Sequence, residues 1–312
     1  MKHLISLKEQ STEEISAILE LAGKIKKEYK SNVLNTKLAG KTLIMFFQKP
    51  STRTRLSFEA GMTELGGHAI YLDARTTQIS VADFIDEIKA VMMMGDILMM
   101  RALKASDVEL AAFLNLIPVI DGCSEKYHPC QALGDILTMS EVVGGLEKIR
   151  KVVWLGIENN VSNTLMLACA KLGIDIFIVS PERHEISLDS ELLAAAENSG
   201  RVHRTLDLKE ALSGANFIHT DTWMDMEFFE QGRVKPEFKE EYERRITLFK
   251  PFQINAELVE KFCPQAKIMH CMPMHVGYEI TREAINHPNS IIFNQAENRK
   301  HIQKAIILWL LS

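Results

Sequence analysis

Short apolar runs alternate along the chain with segments whose apolar positions recur every three to four residues. The runs are bounded by turn residues and too short for core helices, as is typical of buried strands. They predict strands at 43–47, 69–72, 96–100, 118–121, 151–156, 175–179, 216–220 and 267–270. The recurring positions predict helices at about 12–29, 56–65, 80–94, 165–172 and 296–311. Strands that alternate with helices predict an α/β fold with mainly parallel sheets.

A glycine-containing break at 143–146 divides this pattern, and a new strand begins at Lys151. The chain has 312 residues, and a single core usually stops growing at about 250–300 residues. We therefore predict one domain at 1–145 and a second at 146–295. The helix at about 296–312 is expected to pack back on the first domain.

Composition excludes several classes of protein. Hydrophobic residues make up 46% and charged residues 25%, and the net charge is −5. These values are ordinary for a globular protein and argue against a general nucleic-acid or membrane-surface binder, so any anion site must be local. The start of the chain leads directly into a polar segment and no apolar run approaches ~20 residues, so we expect neither a signal peptide nor a membrane span.

Cysteine and glycine patterns narrow the chemistry further. The five cysteines form no C-x-x-C pair, which favours a reducing cytoplasm and argues against a structural zinc site. The β-α-β segment at 151–179 lacks a G-x-G-x-x-G sequence, so no dinucleotide cofactor is expected.

The turn after the first strand carries K-P-S-T-R-T-R at residues 49–55. The proline ends the strand, and a hydroxyl side chain can cap the next helix, which leaves backbone N–H groups and the positive end of the helix dipole pointing outward. The planar guanidinium groups of Arg53 and Arg55 match phosphate oxygens. The pattern predicts a phosphate site; the alternative is an ordinary cap, with both arginines solvated or paired with glutamates at 59 or 64.

Further candidate residues follow predicted strands, where α/β sheets place ligands. Arg101 ends the third strand, with a surface ion pair as its alternative. His128 and Gln131 share the opening face of a helix that starts with Pro129, although a histidine there can also be a simple cap. Cys271 lies at the end of the last strand, where a buried thiol can equally be inert packing.

Four motifs together closely resemble those of the ornithine carbamoyltransferase family. They are K-P-S-T-R-T-R at 49–55, H-P-C-Q at 128–131, H-C-M-P at 270–273 and A-E-N-R at 296–299. Their order and spacing match the family across nearly the whole chain. The neighbouring aspartate carbamoyltransferases have H-P-L-P at the third motif, so the resemblance favours the ornithine branch.

This resemblance implies two similar α/β domains, one for carbamoyl phosphate and one for the amino acid, which close around the substrates. It also implies a cytoplasmic homotrimer with active sites at subunit interfaces. The implied reaction belongs to arginine metabolism: the carbamoyl group of carbamoyl phosphate passes to the side-chain amine of L-ornithine, giving L-citrulline and phosphate. No metal or cofactor is expected.

The resemblance also implies a set of site residues. The expected phosphate contacts are Ser51, Thr52, Arg53, Thr54 and Arg101, and the expected carbamoyl contacts are His128, Gln131 and Arg299. The expected contacts to the amino substrate are Asn160, Asp221, Asp225, Met226, Cys271 and Met272. Charge builds on the carbonyl oxygen when an amine attacks, so Thr54, Arg101 and His128 would form an oxyanion cage. Cys271 would position the amine or take its proton, which makes Arg101, His128 and Cys271 the expected catalytic residues.

The amine-recognition loop departs from the family pattern. The family usually shows D-x-x-x-S-M-G, whereas residues 221–227 read D-T-W-M-D-M-E. The carboxylate of Asp225 would favour a more cationic substrate, or one with less negative charge. Two alternatives therefore stand beside ornithine. The protein could carbamoylate another amine, such as putrescine or a modified amino acid, or it could be a non-catalytic anion-binding protein built on the same fold.

Overall fold

The computed structural model describes residues 1–230 and 232–312, with the side chains of Ser80 and Met226 excepted. The strands are β1 (Thr42–Phe47), β2 (His68–Asp73), β3 (Ile97–Arg101), β4 (Val119–Asp121), β5 (Lys151–Leu155), β6 (Asp175–Val179), β7 (Val202–Arg204), β8 (Phe217–Thr220), β9 (Phe229–Glu230), β10 (Arg233–Val234) and β11 (Lys267–His270). The α-helices are α1 (Thr12–Lys30), α2 (Thr52–Glu64), α3 (Phe84–Met92), α4 (Ala105–Leu114), α5 (Pro129–Val143), α6 (Asn160–Lys171), α7 (Ser190–Glu197), α8 (Leu208–Leu212), α9 (Lys239–Phe249), α10 (Ala256–Phe262), α11 (Arg282–Ile285) and α12 (Ile292–Leu310). Short 3-10 helices lie at Ala74–Thr76, Gln78–Ser80, Leu146–Lys148, Glu185–Ser187, Met226–Phe228, Pro236–Phe238 and Lys250–Phe252.

The first half of the chain forms a parallel sheet in the order β2-β1-β3-β4. Successive side chains of a strand point to opposite faces, and β1 follows this rule with apolar residues on both. Ile44 and Phe46 pack into one buried cluster, whereas Leu43, Met45 and Phe47 pack into another. A sheet covered on both faces explains why its strands are continuous apolar runs rather than alternating ones.

The second half forms another parallel sheet, in the order β11-β8-β5-β6-β7. The α/β fold with two mainly parallel sheets and flanking helices is therefore confirmed. The edge strand β7 was not predicted, because none of its three residues is buried and two of them, His203 and Arg204, are polar.

The turn between the two halves uses glycine for a physical reason. Helix α5 ends at Gly144, which has φ +79°, and Gly145 follows with φ +152°. Both values lie where side chains with a Cβ are rarely tolerated. This turn lies next to the domain boundary predicted between residues 145 and 146, and the position of that boundary stays a prediction.

Helix α12 returns from the second half and packs against α1, α2 and α5. It begins at Ile292, four residues before the predicted start at Ala296. The prediction was wrong because the first turn carries Asn294 and Gln295 beside apolar residues, and Gln295 is buried through hydrogen bonds rather than through apolar contact. This helix brings residues from the end of the sequence to the centre of the molecule.

Two other segments also differ from the predictions. The helix expected at 80–94 is shorter, because Asp83 caps α3 by accepting a hydrogen bond from the backbone N–H of Ile85 at 2.9 Å. The segment 224–245, in which the sequence predicted no strand or helix, contains 3-10 turns, the β9–β10 hairpin and the start of α9. Phe228 stacks on Phe238 at 4.7 Å between ring centroids, which gives this segment an apolar contact of its own. Among the described residues, no helix combines the length and apolar character needed to cross a bilayer.

The packing of α5 on α12 predicts that Gly134→Ala is tolerated. A Cβ at Gly134 would lie 3.5 Å from Cγ2 of Ile302, an ordinary contact. Because alanine favours a helix interior over glycine by about 1 kcal/mol, we expect the free energy of unfolding in urea to rise by up to that amount. Gly122→Ala is the contrasting variant, since its Cβ would overlap the sulfur of Met99. Equal destabilisation by both substitutions would contradict the packing described.

Candidate active site

A cleft of about 610 Å³ lies where the carboxyl ends of strands from both sheets face each other. The first sheet contributes the turn after β1 and the end of β3, and the second sheet contributes the segments that follow β5, β8 and β11. The residues lining it that the sequence had predicted as site residues are Ser51, Thr52, Arg53, Thr54, Arg101, His128, Gln131, Asn160, Asp221, Asp225, Cys271, Met272 and Arg299. The remaining predicted residue is Met226, whose side chain lies outside the described part of the chain.

The turn after β1 directs the first residues of α2 at the cleft. Ser51 is the N-cap: its hydroxyl accepts a hydrogen bond from the backbone N–H of Thr54 at 3.4 Å and donates to the hydroxyl of Thr54 at 3.0 Å. Arg53 lines the cleft, but Arg55 turns away. The Nε of Arg55 lies 3.1 Å from Glu59, and its guanidinium covers the ring of Tyr71. Arg55 is therefore paired with a glutamate, which was the alternative to phosphate binding in the sequence analysis.

Three guanidinium groups line the cleft, from Arg53, Arg101 and Arg299. Within the described part of the chain, no ion pair joins any of them to a carboxylate. Nε of Arg101 and Nε of Arg299 are buried and have no hydrogen-bond partner there. Burial lowers the pKa of Arg53 and of Arg299, which reflects the cost of holding a cation away from water without an anion. A doubly charged anion would offset that cost.

His128 is a neutral group in this cleft. Burial lowers its pKa well below the usual value, and the nearby charges of Arg299 and Arg101 lower it further. The side chain makes no capping hydrogen bond to α5, so the cap alternative is not what the structure shows. A neutral imidazole can donate one hydrogen bond to a carbonyl oxygen while leaving the positive charge of the cleft to the arginines.

A buried junction around Asp135 holds Gln131 in place. Oδ1 of Asp135 accepts hydrogen bonds from the side-chain amides of Gln131 and Gln295, both at 2.7 Å. Its Oδ2 lies 3.0 Å from Nε2 of His219. Because the NH₂ group of Gln131 is committed to Asp135, its carbonyl oxygen is left to accept from Arg299.

Sequence reasoning did not single out Asp135, His219 or Gln295. The available signal was that Asp135 lies four residues after Gln131 on a helix, so both occupy the same face. The other two partners come from β8 and α12, and no local pattern connects them with α5.

The opposite wall of the cleft carries amides and carboxylates. The Nδ2 of Asn160 donates to the carbonyl of Ser124 at 2.7 Å. Asp221 accepts from Nδ2 of Asn159 and from the backbone N–H of Thr222, both at 2.8 Å. These contacts leave polar groups fixed at the ends of β5 and β8.

Asp225, the added carboxylate of the amine-recognition loop, has partners within the protein. Its Oδ2 accepts a hydrogen bond from Nη1 of Arg245 at 3.0 Å and lies 3.5 Å from Nε2 of His184. Burial alone would raise the pKa of Asp225, but His184 and Arg245 outweigh it and the pKa is lowered. Both partners were missed by sequence reasoning because they lie 20 and 41 residues away along the chain.

Cys271 lies beside Asp221 and His270, with the donor atoms of all three within 4.8 Å of one another. Burial raises the pKa of the Cys271 thiol well above its usual value, and Asp221 raises it further, so the thiol stays protonated. Both ring nitrogens of His270 are already committed, Nδ1 to the backbone N–H of Met272 at 2.8 Å and Nε2 to Glu279 at 3.1 Å. A protonated thiol and a histidine without a free ring nitrogen are poor ligands for a metal ion. The geometry instead suits a Cys271 thiol that orients a neighbouring group.

The fold and the cleft define a class: a two-sheet α/β protein in which an anion site on one half faces an amide- and carboxylate-lined wall on the other. The chain belongs to the aspartate/ornithine carbamoyltransferase family. The family's carbamoyl phosphate-binding domain matches residues 2–141, and its aspartate/ornithine-binding domain matches residues 148–310. The resemblance inferred from the four motifs is thus confirmed, and the chain is a carbamoyltransferase.

Individual relatives match over the whole chain. The ornithine carbamoyltransferase of Bacillus subtilis is 40% identical over 314 residues, which cover 99% of this chain and 94% of that protein. The solved structure of the Pyrococcus furiosus ornithine carbamoyltransferase has a TM-score of 0.89 and 39% identity, covering 99% of this chain and 96% of that one. The anabolic ornithine carbamoyltransferase of Campylobacter jejuni has a TM-score of 0.86 and 33% identity, with 99% of each chain covered.

The junction predicts that Asp135→Ala is strongly destabilising. The substitution leaves the donors of Gln131, Gln295 and His219 buried without their acceptor, which should lower the free energy of unfolding by about 3–5 kcal/mol. Urea denaturation followed by circular dichroism measures the change. Asp86→Ala removes an exposed carboxylate from α3 and is the control. A loss below about 1 kcal/mol for Asp135→Ala would show that the junction does not hold the two halves together.

Proposed function

We propose that this chain is an ornithine carbamoyltransferase, which converts carbamoyl phosphate and L-ornithine to L-citrulline and phosphate. The observation that carries the proposal is the set of three guanidinium groups, from Arg53, Arg101 and Arg299, that line the cleft and have no carboxylate partner in the described part of the chain. A phosphate-bearing substrate fits that set. Relatives named ornithine carbamoyltransferase, about 40% identical over the full chain, support ornithine as the second substrate.

Each substrate is assigned to one half of the molecule. Domain 1–145, with the helix at 296–312, holds carbamoyl phosphate, and domain 146–295 holds the amino acid. The phosphate contacts are Ser51, Thr52, Arg53, Thr54 and Arg101, and the carbamoyl contacts are His128, Gln131 and Arg299. The amino-substrate contacts are Asn160, Asp221, Asp225, Met226, Cys271 and Met272.

The reaction follows from these positions. The uncharged side-chain amine attacks the carbamoyl carbon, a C–N bond forms, and negative charge collects on the carbonyl oxygen. Thr54, Arg101 and the neutral His128 donate hydrogen bonds to that oxygen and lower the barrier. When the C–O bond to phosphate breaks, Arg53 and the N-terminus of α2 stabilise the leaving dianion. The proton of the attacking nitrogen leaves with phosphate or to solvent, and the protonated Cys271 orients the amine.

The cellular setting is part of the proposal. All five cysteines are free and buried, which supports a reducing cytoplasm, and citrulline formation places the enzyme in arginine metabolism. A homotrimer with active sites at its interfaces is supported by the family resemblance. Met93, Met94 and Phe113 expose 75, 76 and 84% of their surface on the first half, which suits an interface. Light scattering of the purified protein gives the assembly state directly.

A second candidate is carbamoyl transfer to an amine without a carboxylate, such as putrescine. The specific observation in its favour is that Asp221, Asp225 and Glu227 all line the amine side of the cleft. Three carboxylates disfavour a substrate that carries another one.

The anion site predicts different outcomes for two arginines of the same turn. Arg53→Ala removes a charge-assisted phosphate contact, so kcat/KM for carbamoyl phosphate should fall roughly 100- to 1,000-fold. Arg55→Ala, the matched control, should stay within about threefold of the wild type, because Arg55 pairs with Glu59 at the surface. A colorimetric assay of ureido product measures both. Unchanged activity of the Arg53 variant would contradict the phosphate assignment.

A panel of amines separates the two candidate functions. Purified protein with carbamoyl phosphate is assayed against ornithine, putrescine, lysine, acetylated ornithine and aspartate, and we expect citrulline to be the main product. Asp225→Ser should change the ratio of rates for ornithine and putrescine, because it removes a carboxylate from the amine side. An unaltered ratio would exclude Asp225 from substrate recognition, and silence on every amine would favour a non-catalytic anion-binding protein.

A further inference from the structure

His184 is a cleft residue that neither the motifs nor the family resemblance assigns to the site. It lies in the loop after β6, where its backbone N–H donates to the carbonyl of Glu158 at 2.8 Å. This bond places His184 next to the turn that carries Asn159 and Asn160, on the amine side of the cleft. The imidazole is half-buried, with Nδ1 3.0 Å from Oγ of Ser187.

The charges on this side of the cleft are unbalanced. Besides His184, the basic side chains among the described lining residues are those of the phosphate turn and its surroundings: Lys49, Arg53, Arg101, His128 and Arg299. On the amine side, the ionisable groups of the second sheet's loops that line the cleft are carboxylates, the Cys271 thiol and His184. Among the described residues of those loops, His184 is the lining side chain able to carry a positive charge toward a substrate carboxylate.

Among the described residues, only one of the two oxygens of the Asp225 carboxylate accepts a hydrogen bond. Arg245 donates to Oδ2, and Nε2 of His184 approaches the same oxygen at 3.5 Å. Oδ1 accepts no hydrogen bond from any residue that the structure describes. Arg245 is itself held by Glu241 at 2.8 Å and by the carbonyl of Trp223 at 2.9 Å, so the orientation of Asp225 is fixed.

His184 and Asp225 therefore present a positive and a negative group side by side. An α-amino acid carries an ammonium group and a carboxylate on the same α-carbon, which is the same arrangement with the signs reversed. Among the described residues, Nε2 of His184 has only the long contact to Asp225, so it remains able to donate a hydrogen bond to a ligand. The pair is complementary to the head group of an amino acid and not to a plain diamine.

We propose that His184 binds the α-carboxylate of the second substrate while Oδ1 of Asp225 accepts from its α-ammonium group. Arg245 is a positioning residue that acts through Asp225. This inference rests on the proposed function and deepens it: the pair selects α-amino acids over amines that lack the carboxylate.

The test compares His184→Ala and His184→Gln with the wild type in steady-state assays on ornithine, putrescine and carbamoyl phosphate. Loss of a charge-assisted contact should raise KM for ornithine about 10- to 100-fold. The KM for carbamoyl phosphate and any turnover of putrescine should stay within about twofold. His203→Gln is the matched control, since it removes an imidazole that stacks on Phe177 and does not line the cleft.

Calorimetric binding of L-norvaline with carbamoyl phosphate present gives an independent readout. L-Norvaline has the head group without a reactive amine, so its affinity reports head-group recognition even if ornithine is not the substrate. We expect wild-type binding and a 10- to 100-fold loss in both His184 variants. No binding by the wild type, equal losses for ornithine and putrescine, or an unchanged KM for ornithine would each overturn the inference. Absence of citrulline with intact norvaline binding would overturn the proposed function alone.

Discussion

The carboxylate of Asp135 is the contact on which the arrangement of the cleft depends. It accepts hydrogen bonds from α5 and α12 and lies 3.0 Å from His219 of β8, all in the interior. Removing water from a carboxylate is costly unless its oxygens are fully paired, so these partners are constrained to one geometry. The same geometry decides which end of the Gln131 amide faces the cleft. Stability and site orientation are therefore properties of a single junction.

The cleft contains positive charge that no carboxylate of the described chain compensates. Several arginines elsewhere in the molecule are paired with carboxylates: Arg204 with Glu158, Arg244 with Glu182 and Arg245 with Asp225. The three arginines that line the cleft, Arg53, Arg101 and Arg299, have no such partner in the described chain. A folded protein tolerates this only where a ligand supplies the missing charge. Arg53 and Arg55 lie in the same turn, but only the side chain of Arg53 lines the cleft, whereas Arg55 pairs with Glu59. Whether an arginine of this turn is paired with a carboxylate therefore depends on where its side chain points.

The carboxylates of Asp221 and Asp225 on the amine side of the cleft, by contrast, already have partners within the protein. There the carboxylates are already partly satisfied, Asp221 by amide and backbone donors and Asp225 by Arg245. The additional carboxylate of Asp225 therefore adds no uncompensated negative charge, because Arg245 pairs with it. Selectivity between an amino acid and a diamine therefore depends on which oxygen of Asp225 has no hydrogen-bond donor in the described chain, and on which ligand group accepts a hydrogen bond from His184. Such distinctions depend on distances of a few tenths of an ångström.

The sequence alone determined the elements and the type of chemistry. Apolar runs located β1, β6 and β11 almost to the residue, and the four motifs identified the family, because strand burial and cap residues leave local patterns. The start of α12, the strand β7, the turning away of Arg55 and the pairing of Asp225 were decided by the tertiary structure. Asp135 and His219 are 84 residues apart, and Asp135 and Gln295 are 160 apart. Contacts at such separations have no local period, so only the packing of the two sheets and α12 brings those side chains together.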